Sequence, residues 1–236
     1  MPYSFEGRIR YSEVGEDGCL TLPGVLNYFQ DCATFQSESI AQGVAELKKR
    51  KRVWLLSFWQ IEIGRYPCLG EMVVTTTWPY DFKRFLGFRN FTMETPEGER
   101  LAWANSIWTY LDLEKGIPAK LTEADLAGYE KTEKLDMAYT PRKIALPDQM
   151  QKEAAFQIQR HHLDTNHHVN NGQYLSLAVE YLPEGFEIRQ LRIEYKKQVF
   201  LGDFLYPEIF CSDEQVLVNF CDKAGESCSI IEFTRG

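Results

Sequence analysis

All four histidines of the 236-residue chain fall in one window, "HHLDTNHHVNN" from His161 to Asn171, interleaved with Asp164 and Asn166. Residues of these types support two chemistries. Imidazoles converging with a carboxylate can hold a divalent metal, and an Asp-x-Asn-x-His alternation can carry acid–base catalysis. If the segment is extended, Asp164, Asn166 and His168 project to one side, because strand side chains repeat every two residues. A carboxylate beside an imidazole then fixes its tautomer and raises its basicity. An amide and the start of a following helix would offer donors to a developing oxyanion. Against a metal, neighbouring histidines on a strand point apart, and the sequence has no HExxH or comparable helical spacing. A third reading is local: an Asx turn at Asp164 and a helix cap at Asn170 or Asn171. His161, His162 and His167 read as solvent-facing polar residues.

The elements that must hold this window come in two copies. "QIEIGRYPCLGE" (Gln60 to Glu71) and "RIEYKKQVFLGD" (Arg192 to Asp203) align without a gap as a polar residue, Ile-Glu, an alternating stretch, then Leu-Gly and an acid. Upstream of each lies an amphipathic helix. In the first half Thr21 is the expected cap and Pro23 sits in the first turn, with apolar residues at Leu22, Val25, Leu26, Phe29 and Ala33. In the second, Tyr174, Leu177, Ala178, Tyr181 and Leu182 form one face that Pro183 ends.

Strand patterns follow both helices: "VWLLSFWQI", "MVVTTTW", "FLGFRNFTME" and "RLAWANSIWTYLDL", then "QLRIEYKKQV", "DFLYPEIF", "QVLVNFCD" and "SCSIIEFT". The fold class is therefore α+β, two tandem units each with a long helix wrapped by a curved antiparallel sheet. The expected boundaries are 1–130 for the first unit, 131–150 for a linker and 151–236 for the second. A short helix capped by Thr122 is expected at "LTEADLAGY".

Composition narrows the class further. With 44% hydrophobic and 25% charged residues the chain reads as an ordinary globular protein. A net charge of −8 argues against non-specific nucleic-acid binding. The start of the chain shows no secretory pattern and no apolar stretch reaches a membrane span, so a cytoplasmic location without membrane association is expected. Six scattered cysteines form no CxxC pair and are expected to be mostly reduced and buried. Five consecutive basic residues, Lys48, Lys49, Arg50, Lys51 and Arg52, read either as a solvated helix end or as a docking patch for an acidic partner.

"HLDTNHHVNN" from His162 to Asn171 resembles the pattern "DLDVNQHVNN" of the acyl-acyl carrier protein thioesterases, in their bacterial and plant forms. "YSEVGEDGCLTLPGVLNYFQDCA", "RYPCLGE" and "SIWTYLDL" resemble first-half stretches of the same family, so the likeness runs along nearly the whole chain. It implies a double hotdog fold and hydrolysis of a thioester at one site in the second half, without cofactor or metal. Asp164, Asn166 and His168 carry over as its catalytic positions.

One departure is specific. The family's "YRREC" segment, with a water-activating Glu and then a Cys, is "YKKQV" here, so Gln198 stands at the Glu position and Val199 at the Cys position. Covalent catalysis through that Cys is thereby excluded. Gln198 cannot be a base, though its amide can position a water. The base is then His168 or Asp164, with Glu180 as an outside candidate.

The resemblance also implies a hydrophobic tunnel in the first half, drawing on Phe29, Phe35, Trp54, Phe58 and Trp59, and acyl carrier protein as partner. Lys48 to Arg52, with Arg189, Arg192, Lys196 and Lys197, could steer that acidic partner. An acyl-CoA thioesterase, a non-catalytic acyl-binding protein and, less in keeping with the motif, a hotdog dehydratase are the alternatives, and a homodimer is left open.

Overall fold

Thr21 starts the first long helix as its type requires. Its Oγ1 accepts the Gly24 N–H at 3.2 Å and Pro23 occupies the first turn of α1 (Leu22–Ser39). A computed structural model of the chain describes residues 1–164 and 166–236. The chain divides into two compact units, Met1–Ser57 with Ile61–Tyr139, and Phe58–Gln60 with Thr140–Gly236.

The first unit contains β1 (Tyr3–Arg8), α1, α2 (Val44–Lys49), β2 (Arg52–Ile63) apart from its Phe58–Gln60, β3 (Met72–Lys83), β4 (Leu86–Glu94), β5 (Arg100–Asp112), β6 (Ile117–Pro118) and α3 (Glu123–Leu126). Its long strands run in the order β1-β3-β4-β5-β2, and β6 pairs with β5. The β1–β3, β3–β4, β4–β5 and β5–β6 pairings are antiparallel, with Phe5 opposite Thr75 and Phe91 opposite Ala104. The stripe Leu22, Val25, Leu26, Phe29, Cys32 and Ala33 on α1 is buried, and α1 packs on β1 and β3. Phe29 meets Phe91 with ring centroids 5.3 Å apart. Fully burying side chains of this size contributes about 1.5–3 kcal/mol each, which holds the helix against the sheet. Of the aromatics expected to line a tunnel, Phe29, Phe58 and Trp59 are buried. Trp54 is half-buried against Tyr110, and Phe35 is exposed with its edge on Phe5.

The second unit contains β7 (Gln151–Lys152), β8 (Phe156–Gln157), α4 (Asn171–Ala178), β9 (Ile188–Tyr195), β10 (Phe204–Cys211), β11 (Gln215–Cys221) and β12 (Ser227–Arg235). Its strands run β9-β12-β11-β10-β7, with β8 also on β10. Each unit is thus a helix against an antiparallel sheet, as the repeat implied, and this is the hotdog arrangement that the resemblance implied.

Two expectations need correction here. The second helix is not long: α4 spans 8 residues and tightens into a 3-10 turn at Val179–Tyr181. Pro183 holds Leu182 in extended backbone (φ −74°, ψ 137°) and ends the helix. Its buried face is Tyr174, Leu175 and Ala178, so Leu175 takes the place expected of Leu177. Second, β9 stops at Tyr195 rather than running to Val199. Lys196 and Lys197 both donate their backbone N–H to the Cys228 carbonyl, which turns the chain out of the sheet.

The 131–150 segment is tied down at both ends. Leu135 N–H and Tyr139 hydroxyl donate to the Asn90 side-chain oxygen. Ile144 is buried with Leu217 and Ile230, and Leu146 and Met150 pack against them. Thr122 caps α3 through a reciprocal pair with Asp125. Among the described residues, no helix is long and apolar enough to cross a membrane.

Candidate active site

The described residues of the window His161–Asn171 make a tight turn between two short pairings, not an extended strand. A 3-10 turn at Arg160–His162 leads in, Leu163 and Val169 form an antiparallel bridge, and the Asp164 N–H donates to the His168 carbonyl at 2.8 Å. The Asp164 carboxylate sits inside the turn. Its Oδ1 accepts the backbone N–H of Asn166 at 2.8 Å and of His168 at 3.2 Å, while Oδ2 faces the Asn166 amide Nδ2 at 3.4 Å. Asp164 therefore meets Asn166 and the backbone of His168. The one-sided strand geometry is replaced by an Asx turn, because a carboxylate two residues before a free N–H satisfies it locally.

Each neighbour has an assignable role. His167 adopts φ 63°, the left-handed conformation that closes the turn. His162 is buried rather than solvent-facing, and its Nδ1 accepts the Gln159 N–H at 3.1 Å, which puts the ring proton on Nε2. Burial, and secondarily the charge of His161, whose tilted ring lies 4.0 Å away, lower its pKa from the ordinary value. Asn170 accepts the Gly172 N–H at 2.8 Å and caps α4; the Asn171 carbonyl accepts the Tyr195 hydroxyl at 3.0 Å. Glu180 is exposed on the turn after α4.

His168 lies across from the segment that carries Gln198. His168 and Phe200 form an antiparallel bridge, and the Val169 N–H donates to the Val199 carbonyl at 3.0 Å. The Phe200 ring meets the His168 imidazole edge-on at 4.9 Å. Gln198 is exposed beside this contact, while Val199 is buried in the core. Phe200 and Leu201 stay 48% and 51% exposed, an apolar tip beside the imidazole. An open depression of about 640 Å³ lies next to it, lined among others by Gln157, Arg160, His161 and Leu201. The bridge thus sets His168 against the segment that carries Gln198, while Asn166 lies exposed in the turn beside Asp164. Among the described residues no three His, Cys, Asp or Glu side chains gather as metal ligands.

The first unit holds a second copy of this frame. Val14 bridges Leu20 as Leu163 bridges Val169, and the Gly15 N–H reaches the Cys19 carbonyl as Asp164 reaches His168. Gly18 takes the left-handed position of His167, at φ 72°. Thr21 N–H donates to the Glu13 carbonyl as Asn170 does to His162. Opposite, Glu71 accepts the Cys68 N–H at 2.8 Å just as Asp203 accepts that of Phe200 at 2.9 Å. The repeat in the sequence marked only the second strand of this frame. Its first strand reads "EVGEDGCLT" in one copy and "HLDTNHHVN" in the other, too dissimilar to align by eye.

Much of the basic run is neutralised in place. Lys49 pairs with Glu46 at 3.4 Å, Arg50 with Asp125 at 3.5 Å and Arg52 with the buried Asp112 at 3.0 Å. Lys48 and Lys51 are exposed at the end of α2 and carry no ion pair among the described residues. Of the other cations, Arg192 pairs with Glu232 and the carbonyl of Pro141, and Lys197 with Asp222 and Glu226. Arg189 lies on β9 and Lys196 is exposed just after it.

Comparison with known proteins decides the family. The acyl-ACP thioesterase N-terminal domain matches residues 3–129 and the C-terminal domain matches residues 146–227, ACP being acyl carrier protein. The chain belongs to the acyl-ACP thioesterase family. A palmitoyl-acyl carrier protein thioesterase of Gossypium hirsutum is 24% identical over 215 residues, covering 84% of this chain and 52% of the relative. The chain spans about half the length of the curated relatives it matches first. Among solved structures, an acyl-ACP thioesterase from Bacteroides thetaiotaomicron superposes with a TM-score of 0.89 at 22% identity, over 100% of this chain and 98% of that one. The 12:0-ACP thioesterase of Umbellularia californica gives 0.84 at 19% identity, over 99% and 96%. These likenesses establish the same fold.

Proposed function

We propose that the protein hydrolyses the thioester of an acyl-acyl carrier protein and releases the free fatty acid. The observation that carries this reading is the family match along both units. In the reading, Gln198 and the Asn166 amide hold the attacking water and the substrate carbonyl beside His168. His168 takes the proton as water adds to the carbonyl carbon, and returns it to the thiolate as the carbon–sulfur bond breaks. Asp164 shapes the turn and serves as a positioning residue. No nucleophile is acylated, because Val199 offers no reactive atom. Lys48 and Lys51 are the cations of the basic run left free to meet an acidic carrier. The reaction is assigned to the cytoplasm, whose reducing poise suits a chain with six unpaired cysteines.

The test is thiol release from matched acyl-acyl carrier protein and acyl-CoA esters across chain lengths. His168→Ala should lower the rate about 10²–10⁴-fold, the usual contribution of a positioned acid–base group. Preference for the CoA ester would reassign the substrate. A second reading, acyl binding without turnover, is favoured by Gln198 and by an imidazole that meets a phenyl ring instead of a carboxylate. Binding with no thiol released, and no effect of His168→Ala, would select it.

A further inference from the structure

The duplicated frame places a different chemistry in the first unit. Where the second unit sets His168 against Phe200, the first sets Cys19 against Cys68, with their Sγ atoms 3.5 Å apart. We propose that Cys19 and Cys68 form a thiol–disulfide exchange site whose reaction partner is a small disulfide of the glutathione class.

The backbone is built for this bond. Leu20 N–H donates to the Pro67 carbonyl at 2.9 Å and Leu69 N–H to the Gly18 carbonyl at 3.0 Å. These bonds flank the Cys19–Cys68 bridge, which makes it a non-hydrogen-bonded antiparallel pair. Such pairs bring Cα atoms to about 4.5 Å, within the range a disulfide spans. Closing the sulfurs to bonding distance then needs a movement of about 1.5 Å, within reach of side-chain rotation. The thiols are also accessible: Cys68 is exposed and Cys19 half-buried, whereas Cys32, Cys221 and Cys228 are buried. Cys68 is the more exposed of the two, which makes it the natural first attacker.

In the exchange, the Cys68 thiolate attacks one sulfur of the glutathione disulfide and expels a glutathione thiolate. The Cys19 thiolate then attacks Cys68 and expels the second glutathione. Two protein thiols are oxidised to one disulfide, the glutathione disulfide is reduced to two thiols, and the two protein protons end on those thiols. The bond would close a loop of 49 residues and tie the segment leading into α1 to the turn between β2 and β3.

The experiment equilibrates the full chain in glutathione buffers of rising oxidised fraction, blocks remaining thiols and maps disulfides by peptide mass. The range extends until exposed Cys211, an internal control, carries glutathione. Cys19 and Cys68 should be lost together as one cross-linked peptide, at a lower oxidised fraction than Cys211. The unfolding midpoint should rise by roughly 5–10 °C in the oxidised protein. In Cys19→Ser, glutathione should remain on Cys68, because the resolving thiol is gone. Glutathione on Cys19 and Cys68 separately, or both thiols still free when Cys211 is modified, overturns the proposal.

Discussion

Replacing Asp164 separates a structural carboxylate from a catalytic one. Its Oδ1 accepts two backbone N–H groups, from Asn166 at 2.8 Å and His168 at 3.2 Å, and neither oxygen is hydrogen-bonded to the imidazole. Asp164→Asn keeps the acceptor oxygen of these two bonds but loses the charge and the weaker Oδ2 contact to the Asn166 amide at 3.4 Å. A hydrogen bond to a charged group contributes about 1.5–3 kcal/mol and a neutral one about 0.5–1.5, so the change weakens each bond by about 1 kcal/mol. Because the side chain is half-exposed, the low end applies, and the turn loses about 1–2 kcal/mol, a factor of about 5–30 in the population of the competent loop. Asp164→Ala removes both acceptors, about 3–4 kcal/mol by the same count, or about 10²–10³-fold.

Were the carboxylate instead orienting the imidazole as in a triad, the Asn variant alone would cost about 10⁴-fold. Steady-state thiol release from an acyl-acyl carrier protein ester, read beside the thermal midpoint of each variant, distinguishes the two. A fall in Asp164→Asn as deep as in Asp164→Ala, with unchanged midpoint, would refute the reasoning and return Asp164 to the reaction itself.

Placing a carboxylate at this position with Gln198→Glu should raise kcat and add an acidic limb to the pH–rate profile; an unchanged profile means that Gln198 does not face the attacking water. Neutralising Lys48 and Lys51 should raise KM for carrier-protein substrates at low salt and lose that effect at high salt, while an unchanged KM sinks the docking role. Thr21→Ala should cost about 1 kcal/mol, a drop of about 2–4 °C in the midpoint, since it leaves the Gly24 N–H uncapped. The Arg65 guanidinium, bonded to Glu71 at 2.7 Å, holds that carboxyl below its ordinary 4.5. Its stabilisation is therefore full above about pH 4.5 and lost as the pH falls through the depressed value. Arg65→Met should flatten this acid limb in pH-dependent unfolding, and a wild-type limb in the variant would point to other carboxylates.

Local physics read directly from the sequence carried much of the fold. Thr21, Pro23 and Thr122 mark helix starts because capping depends on neighbours in the chain. The long strands stand out because alternation and apolar runs survive in any register. The repeat around Leu-Gly-acid located a turn that both units share, with Gly70 at φ 83° and Gly202 at φ 86° and an acid behind each. The window of histidines was equally visible as the place of interest.

What the sequence could not settle was where those side chains point. Asp164, Asn166 and His168 alternate as on a strand, yet the carboxylate turns back onto its own backbone, since local hydrogen bonding wins when no partner strand claims the N–H groups. Phe200, far along the chain, is what the imidazole meets, and Cys68 is what Cys19 meets. Both pairings depend on strands from distant segments closing one frame twice. Burial likewise assigned His162 to the interior, and the counter-ions Asp112 and Asp125 drew Arg52 and Arg50 out of a run that reads as a free basic patch. Spacing decides which residues share an element, but only the assembled sheets decide which elements, and hence which charges and thiols, stand face to face.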